Sequence, residues 1–419
     1  MPSAPSLFTK HDFILMALLA LSCFLVVLFS TVRQENYHAR SDSFGTLLTS
    51  QSIIQHGTIK LDAYGSFDAL KAQYPYQLIS HNHHAYYYFP IGTSLLAVPF
   101  VALANLCSKD MLNQSQDWAM QGWLAALTVC LLGILAYSLA RFRLNSFPSA
   151  LFASLFVLGT SLASTCGTAI WSFNGELVFM LIALHCLLAL SDGHANRTML
   201  SLLLGLSLFI AYLCRPTALI FVVGCMALLI LTNRASAWRT LAVICACFLV
   251  FAAYSVFEYG TVVPSFYKLS RLSTTKTFST ALLGNLLSPS RGLLVFSPFF
   301  LVILVAGFFH LRRNSNLLIL LFAYGWLLMQ IIAVSRFPHW WGGALLWGTA
   351  LDRHGARHSA CWHSHGRPHA RQTKGSVLGI AASHRNCFRG NTYRTGALQH
   401  GYTQVELLSQ RRPESEIHL

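Results

Sequence analysis

Charged residues are scarce in this sequence. They make up 10% of its 419 residues, while hydrophobic residues make up 54%. Because a soluble globular chain carries roughly a quarter of its residues charged, this composition excludes a water-soluble fold. Acidic residues are fewest, with 14 against 29 lysines and arginines, so the formal net charge is +15. The basic residues form short clusters between apolar blocks, which indicates membrane topology and lipid-headgroup contacts rather than nucleic-acid binding.

Two further patterns are missing. There is no disulfide framework, because many of the 11 cysteines lie inside apolar blocks, where cysteine behaves as a small hydrophobic residue. There is also no convincing small-x-small cleavage site after the first apolar block, residues 13–32, which is long for the core of a signal peptide. We therefore interpret this block as a first membrane helix.

The apolar blocks come close to the length of about 20 residues that an α-helix needs to cross a bilayer. They predict an all-α integral membrane protein with about nine transmembrane helices. We place these helices at residues 13–32, 119–140, 147–164, 176–190, 198–213, 217–232, 240–257, 293–310 and 317–334.

Short connections rich in lysine and arginine predict which helix ends face the cytoplasm. These connections contain Arg141 and Arg143, Arg197, Arg234 and Arg239, and Arg312 and Arg313. The positive-inside rule places all four connections in the cytoplasm. Nine spans alternate correctly with this placement if residues 90–107 form a membrane-surface or re-entrant helix instead of a further crossing.

This topology leaves two long loops outside the cytoplasm, at about 33–118 and 258–292, and a shorter one at 335–343. The loops are rich in polar groups: the first holds Asp42, Asp62, Asp68 and the histidine run 81–84, and the second holds Lys268, Arg271, Lys276 and Arg291. Polar groups this dense beside a bilayer indicate a functional site.

Several short motifs follow the first predicted span in order. They are Ser41-Asp42-Ser43, the stretch 50–62, Tyr88-Phe89-Pro90-Ile91-Gly92, the stretches 213–218 and 287–298, and residues 339–343. In this order and topology the chain resembles, over about residues 10–343, the GT-C glycosyltransferases of the protein-mannosyltransferase and aminoarabinose-transferase type. The resemblance implies that residues 1–343 form one GT-C-like transmembrane domain with a long first outer loop that carries surface helices.

The same resemblance implies a membrane-embedded hexosyltransferase. Such an enzyme takes a sugar from a polyprenyl-phosphate-linked donor and passes it to an acceptor at the outer face, by inverting displacement. The resemblance places the catalytic acidic residue at Asp42, because a carboxylate within hydrogen-bond reach takes the proton of the attacking hydroxyl. The alternative role of Asp42 is a helix N-cap, since Ser-Asp-Ser precedes an apolar-periodic stretch. No cofactor is predicted, and the sequence leaves a requirement for a divalent metal open.

Preplaced cations stabilise the negative charge that develops on the leaving lipid phosphate. The candidates are Arg215, Lys268, Arg271 and Arg291. Arg215 stands between two apolar runs, where a buried charge is costly unless it has a partner or a function. Its alternative role is an arginine that snorkels at a helix end, and Arg291 has the alternative role of a loop anchor.

Four further features are candidates for sugar, acceptor or metal contacts. Glu176 lies near the outer end of a predicted span and either contacts the acceptor or caps the helix. Trp340 and Trp341 suit an interfacial aromatic belt, and the same rings also suit stacking on a sugar. The histidines of the run 81–84 lack carboxylate partners at helical spacing, so we favour a solvated loop over a metal site.

The tail, residues 344–419, departs from the resemblance. It holds 8 of the 18 histidines and 10 of the 29 lysines and arginines, and it contains no apolar block. We interpret it as disordered or as translated in a shifted reading frame, which would leave the acceptor side of the enzyme incomplete. A metal site at Cys361, His363 and His365 is the disfavoured alternative, because the spacing is irregular.

Two other classes of function compete with a transferase. A transporter or lipid flippase has broken helices and buried charges along a central path. Against it, the charged residues cluster in the outer loops and no inverted repeat is visible. A catalytically dead remnant is the third hypothesis. The loop charges and the lack of a eukaryotic sorting signal predict a multi-pass protein of the bacterial inner membrane. The sequence leaves open which sugar is transferred and whether the acceptor is a lipid, a glycan or a protein.

Overall fold

The computed structural model describes residues 8–29, 42–193, 196–268, 278–289, 292–311 and 317–337. These residues are mostly helical. In chain order the elements are α1 (Lys10–Leu28), α2 (Thr46–His56), α3 (Phe67–Gln73), β1 (Leu78–His81), β2 (His84–Tyr87), α4 (Gly92–Leu106), α5 (Gln114–Arg141), α6 (Ser146–Val157), α7 (Leu162–Cys166), α8 (Ser172–Ser191), α9 (Arg197–Cys214), α10 (Leu219–Thr232), α11 (Arg234–Tyr259), α12 (Phe278–Leu287), α13 (Leu293–Phe296), α14 (Pro298–Leu311) and α15 (Leu317–Ser335).

Six helices in the described part of the chain are long and apolar enough to cross a membrane, namely α1, α5, α8, α9, α11 and α15. They confirm the prediction of a helical membrane protein. The predicted spans 147–164, 217–232 and 293–310 overlap the shorter apolar helices α6, α10 and α14. Residues 90–107, expected to form a surface or re-entrant helix, form α4, a further short apolar helix of 15 residues.

Local sequence signals fix where the main helices begin and end. Asn113 caps α5, because its side-chain oxygen accepts hydrogen bonds from the backbone N–H groups of Ser115 and Gln116. Helix α9 ends before Pro216, which disfavours the helical conformation of the preceding residue. Arg215 is accordingly extended, with φ −153° and ψ 120°, so it projects from the break between α9 and α10.

The helices pack through small residues as well as large apolar ones. Helix α8 packs on α9, and α1 packs on α5. At Gly205 of α9 an added Cβ would lie 2.8 Å from the backbone oxygen of Thr240 in α11, so only glycine permits this close approach. Thr240 also donates a hydrogen bond of 3.1 Å to the backbone oxygen of Ser201. Close approach through small residues and interhelical hydrogen bonds is the usual way in which membrane helices associate.

A β-hairpin departs from the all-helical expectation. Strands β1 and β2 pair antiparallel, with Leu78 opposite Tyr87 and His81 opposite His84. Asn82 and His83 form the two-residue turn, and both have positive φ, 49° and 62°, as a type I′ turn requires. The histidine run is therefore the tip of this hairpin. His84 Nδ1 lies 2.8 Å from Asp62 Oδ2.

Hydrogen bonds show which helix ends lie together. Arg141, at the end of α5, donates to Asp12, near the start of α1, with 2.7 Å between Nε and Oδ1. At the same end of the bundle Arg143 pairs with Asp192, which follows α8. The N-terminal ends of α5 and α8 and the C-terminal ends of α9 and α11 therefore lie at the opposite end. The segment 42–113 joins this opposite end.

Candidate functional site

Glu176 and Arg215 meet at the end of the bundle opposite Asp12. Glu176 Oε2 lies 3.8 Å from Arg215 Nε, and the Glu176 side chain is 8% exposed against 37% for Arg215. The Thr217 hydroxyl donates to Glu176 Oε1 at 3.2 Å. The Arg215 guanidinium carbon also lies 5.7 Å from the ring centroid of Phe173. Two predicted site residues thus form one partly desolvated ion pair.

The start of α4 presses directly on the segment that carries Arg215. An added Cβ at Gly92 would lie 2.5 Å from the backbone nitrogen of Cys214, so this position requires glycine. From the other side, the hydroxyl of buried Tyr267 donates to the backbone oxygen of Leu213 at 2.6 Å. The motifs around residues 88–92 and 213–218, which are far apart in the sequence, therefore touch.

Asp42 lies in the turn that leads into α2, and it is exposed. The N-cap position of α2 is Gly45, with φ 102° and no side-chain cap, so Asp42 does not have the N-cap role considered as an alternative. The hydroxyl of Tyr87 donates to the backbone oxygen of Asp42 and lies 2.8 Å from the Thr46 hydroxyl. The backbone beside Asp42 is thus fixed to β2.

The sequence analysis missed Asp117 and Gln121. These two polar residues of α5 support the turn that contains Asp42. Gln121 is fully buried and donates to the backbone oxygen of Ser43 at 2.9 Å. It also accepts from the backbone N–H of Ile170 at 3.0 Å and lies 3.4 Å from Asp117 Oδ2. Polar residues at the spacing 117, 121 in an apolar helix are the signal that would have found them.

A second missed group joins the first loop to α11. Lys60 Nζ lies 3.5 Å from Glu258 Oε2, and the Tyr86 hydroxyl donates to the same oxygen at 3.2 Å. The rings of Tyr86 and Tyr259 are 5.0 Å apart. Burial and the Glu258 carboxylate raise the pKa of Tyr86, which keeps its hydroxyl a donor.

Of the remaining predicted site residues, the structure describes only Lys268. Lys268 is exposed directly after Tyr267. Arg271, Arg291, Trp340 and Trp341 lie outside the described residues, and so does the tail, residues 344–419.

Within the described ranges no cluster of three histidine, cysteine or acidic residues is placed to hold a metal ion. No protein-family model, curated protein or solved structure matches the chain.

Proposed function

We propose that the protein transfers a sugar from a polyprenyl-phosphate-linked donor to an acceptor at the outer face of a bacterial inner membrane. The observation that supports this most strongly is the position of Arg215. The break at Pro216 projects this arginine from the end of a membrane helix, Glu176 holds it there, and the loop that carries Asp42 packs on the same end of the bundle.

The sidedness of the site follows from the charges at the two ends of the bundle. Arg141 and Arg143 lie together at one end, and the positive-inside rule assigns that end to the cytoplasm. The end with Asp42 and Arg215 then faces outward, and all nine predicted spans alternate. Labelling of single cysteines by a membrane-impermeant maleimide in intact cells tests this topology: Ala63→Cys should react, and Ala235→Cys should react only after the cells are opened.

The chemistry needs one displacement. The acceptor oxygen attacks the anomeric carbon while the bond from that carbon to the phosphate oxygen breaks, and the configuration inverts. The carboxylate of Asp42 takes the acceptor proton. The electron pair of the broken bond stays on the lipid phosphate, whose charge Arg215 and the exposed Lys268 stabilise. Arg271 and Arg291 are further phosphate ligands in this proposal, and Glu176, Trp340 and Trp341 are acceptor or sugar contacts.

The test is transfer of labelled sugar from a polyprenyl-phosphate donor pool to membrane material. Loss of the base should lower transfer by about 10²–10⁴-fold in Asp42→Asn. The matched control is Asp68→Asn, an exposed carboxylate of the same loop, which should transfer normally.

A fourth chain, with the reading frame restored after Gly343, separates a broken copy from a wrong function. Transfer only by the restored chain would mean that the fold is right and that the unrestored chain is a broken copy. If no version transfers sugar and the labelled lipid crosses the membrane intact, the partly buried pair of Glu176 and Arg215 belongs to a transporter, as in the rival hypothesis.

A further inference from the structure

Four aromatic side chains from two separate loops meet beside the candidate site; we call Tyr76, Tyr88, Phe89 and Phe266 the aromatic cluster. The ring of Phe266 lies 5.5 Å from those of both Tyr88 and Phe89. Phe89 in turn lies 6.3 Å from Tyr76, edge to face. None of the four is fully buried, and Tyr76 is 39% exposed. The cluster therefore offers ring surface to a ligand.

The cluster is held in place from both sides. Phe266 lies in the 3₁₀ turn Ser265–Tyr267, and its neighbour Tyr267 is buried and anchored to the backbone oxygen of Leu213. Phe89 is 5.6 Å from Tyr87, whose hydroxyl is bound to Asp42. The rings are thus fixed by buried neighbours, so binding there orders little that is not already ordered.

The cluster also connects the two halves of the proposed site. At one side it reaches the Asp42 turn, because Phe89 lies 5.6 Å from Tyr87, whose hydroxyl donates to the backbone oxygen of Asp42. Partial burial and the negative charge of the Asp42 carboxylate also raise the pKa of the Tyr76 hydroxyl. At the other side, Phe266 is two residues from exposed Lys268, and Tyr267 binds the helix end that precedes Arg215. A group bound on the rings therefore has the Asp42 carboxylate at one side and the cations proposed to bind phosphate, Lys268 and Arg215, at the other.

We propose that the aromatic cluster binds the sugar ring of the lipid-linked donor. The C–H faces of a sugar pack on aromatic rings, and two of the four rings, Tyr76 and Tyr88, also carry a polar hydroxyl. The isoprenoid tail needs no such hydroxyls, and the apolar helix faces already provide a surface for it. This inference rests on the proposed function and names the part of the donor that these residues recognise.

Polyprenyl-phosphate lipids with and without a sugar provide the test. Binding of undecaprenyl phosphate is compared with binding of undecaprenyl-phosphate-linked glucose, mannose, galactose and 4-amino-4-deoxyarabinose by the purified full chain. The wild type should bind at least one of the sugar-bearing lipids about tenfold more tightly than the sugar-free lipid, which corresponds to about 1.4 kcal/mol of binding free energy. Phe266→Leu should remove this preference and leave the affinity for sugar-free lipid unchanged.

Two control variants separate stacking from folding. Phe266→Trp keeps a ring and should keep the preference. Phe67→Leu removes a ring from α3 in the first loop, outside the aromatic cluster, and should also keep the preference.

The possible results have distinct meanings. Retained preference in Phe266→Leu, or an equal loss of affinity for both kinds of lipid, would overturn the sugar site. A wild type that binds all the lipids equally would overturn it too, while the proposed transfer would stand. A wild type that binds none of them would overturn both proposals.

Discussion

Glu176 and Arg215 approach each other at the ends of α8 and α9, with 3.8 Å between Oε2 and Nε. The carboxylate is buried, whereas the guanidinium keeps part of its surface exposed. Since a buried charge is costly without a partner, each group stabilises the other before any ligand binds. The exposed side of the guanidinium remains available to a phosphate. This relationship makes separable predictions for stability and for transfer.

Replacing Arg215 should lower both the stability of the protein and sugar transfer, and a second substitution should restore only the stability. Arg215→Gln leaves the Glu176 carboxylate buried without its cation, which should cost about 1–3 kcal/mol of unfolding free energy. It should also lower kcat by about 10²-fold, the effect of removing one donor that stabilises transition-state charge. Adding Glu176→Gln should restore stability but not transfer. The measurements are denaturant unfolding in detergent and sugar transfer by the same preparations.

The contrary outcome is equally clear. If the double variant regains transfer together with stability, Arg215 acts only through folding, and its role as a phosphate ligand is wrong.

Gln121 should contribute to stability through the turn that carries Asp42. Gln121→Leu leaves the backbone oxygen of Ser43 and the N–H of Ile170 without a buried partner, at a cost of about 1–3 kcal/mol each. The control is Gln55→Leu, an exposed glutamine that accepts one hydrogen bond from Tyr64, where the change should stay within about 0.5 kcal/mol. Unfolding in detergent measures both. Equal effects would mean that the buried network does not hold the turn.

Much of the helical frame was predictable because its causes are local. Long apolar blocks predict the membrane helices, and Asn113 and Pro216 mark a start and an end by capping and by proline sterics. The hairpin was missed because its turn, Asn82-His83, lacks the glycine that usually marks a type I′ turn.

The site was only partly predictable, since its contacts join distant residues. Arg215 and Glu176 stood out as charges within apolar sequence. By contrast, Tyr86 meets Glu258 across 172 positions and Gln121 meets Ser43 across 78. No periodic pattern reports such pairs, because they depend on how α5 and α11 pack against the segment 42–113.

Lys60 and Glu258 should hold the first loop on α11 by charge. Lys60→Glu replaces the ion pair of 3.5 Å with two carboxylates. Because the two carboxylates repel each other, the loop should open more often. Reversing the partner as well, in Lys60→Glu with Glu258→Lys, should restore the attraction. Hydrogen exchange of residues 78–87 measures the opening, and it should be faster in the single variant only. Fast exchange in both variants would show that specific geometry, rather than charge, docks the loop.

Two ion pairs at the end of the bundle opposite the candidate site should differ sharply in strength. Asp12 is fully buried and receives hydrogen bonds from Tyr137 at 2.5 Å and from Arg141 at 2.7 Å, whereas the pair of Arg143 with Asp192 is open to water. Asp12→Asn leaves a partly buried arginine without its anion, so it should lose about 3–5 kcal/mol. Asp192→Asn should lose less than about 1 kcal/mol, because solvent screens exposed pairs. Unfolding in detergent measures the two losses. The sugar transferred per folded molecule should stay at the wild-type level in both variants, since this end lies away from the proposed site. Equal losses of stability in the two variants would contradict the argument from burial.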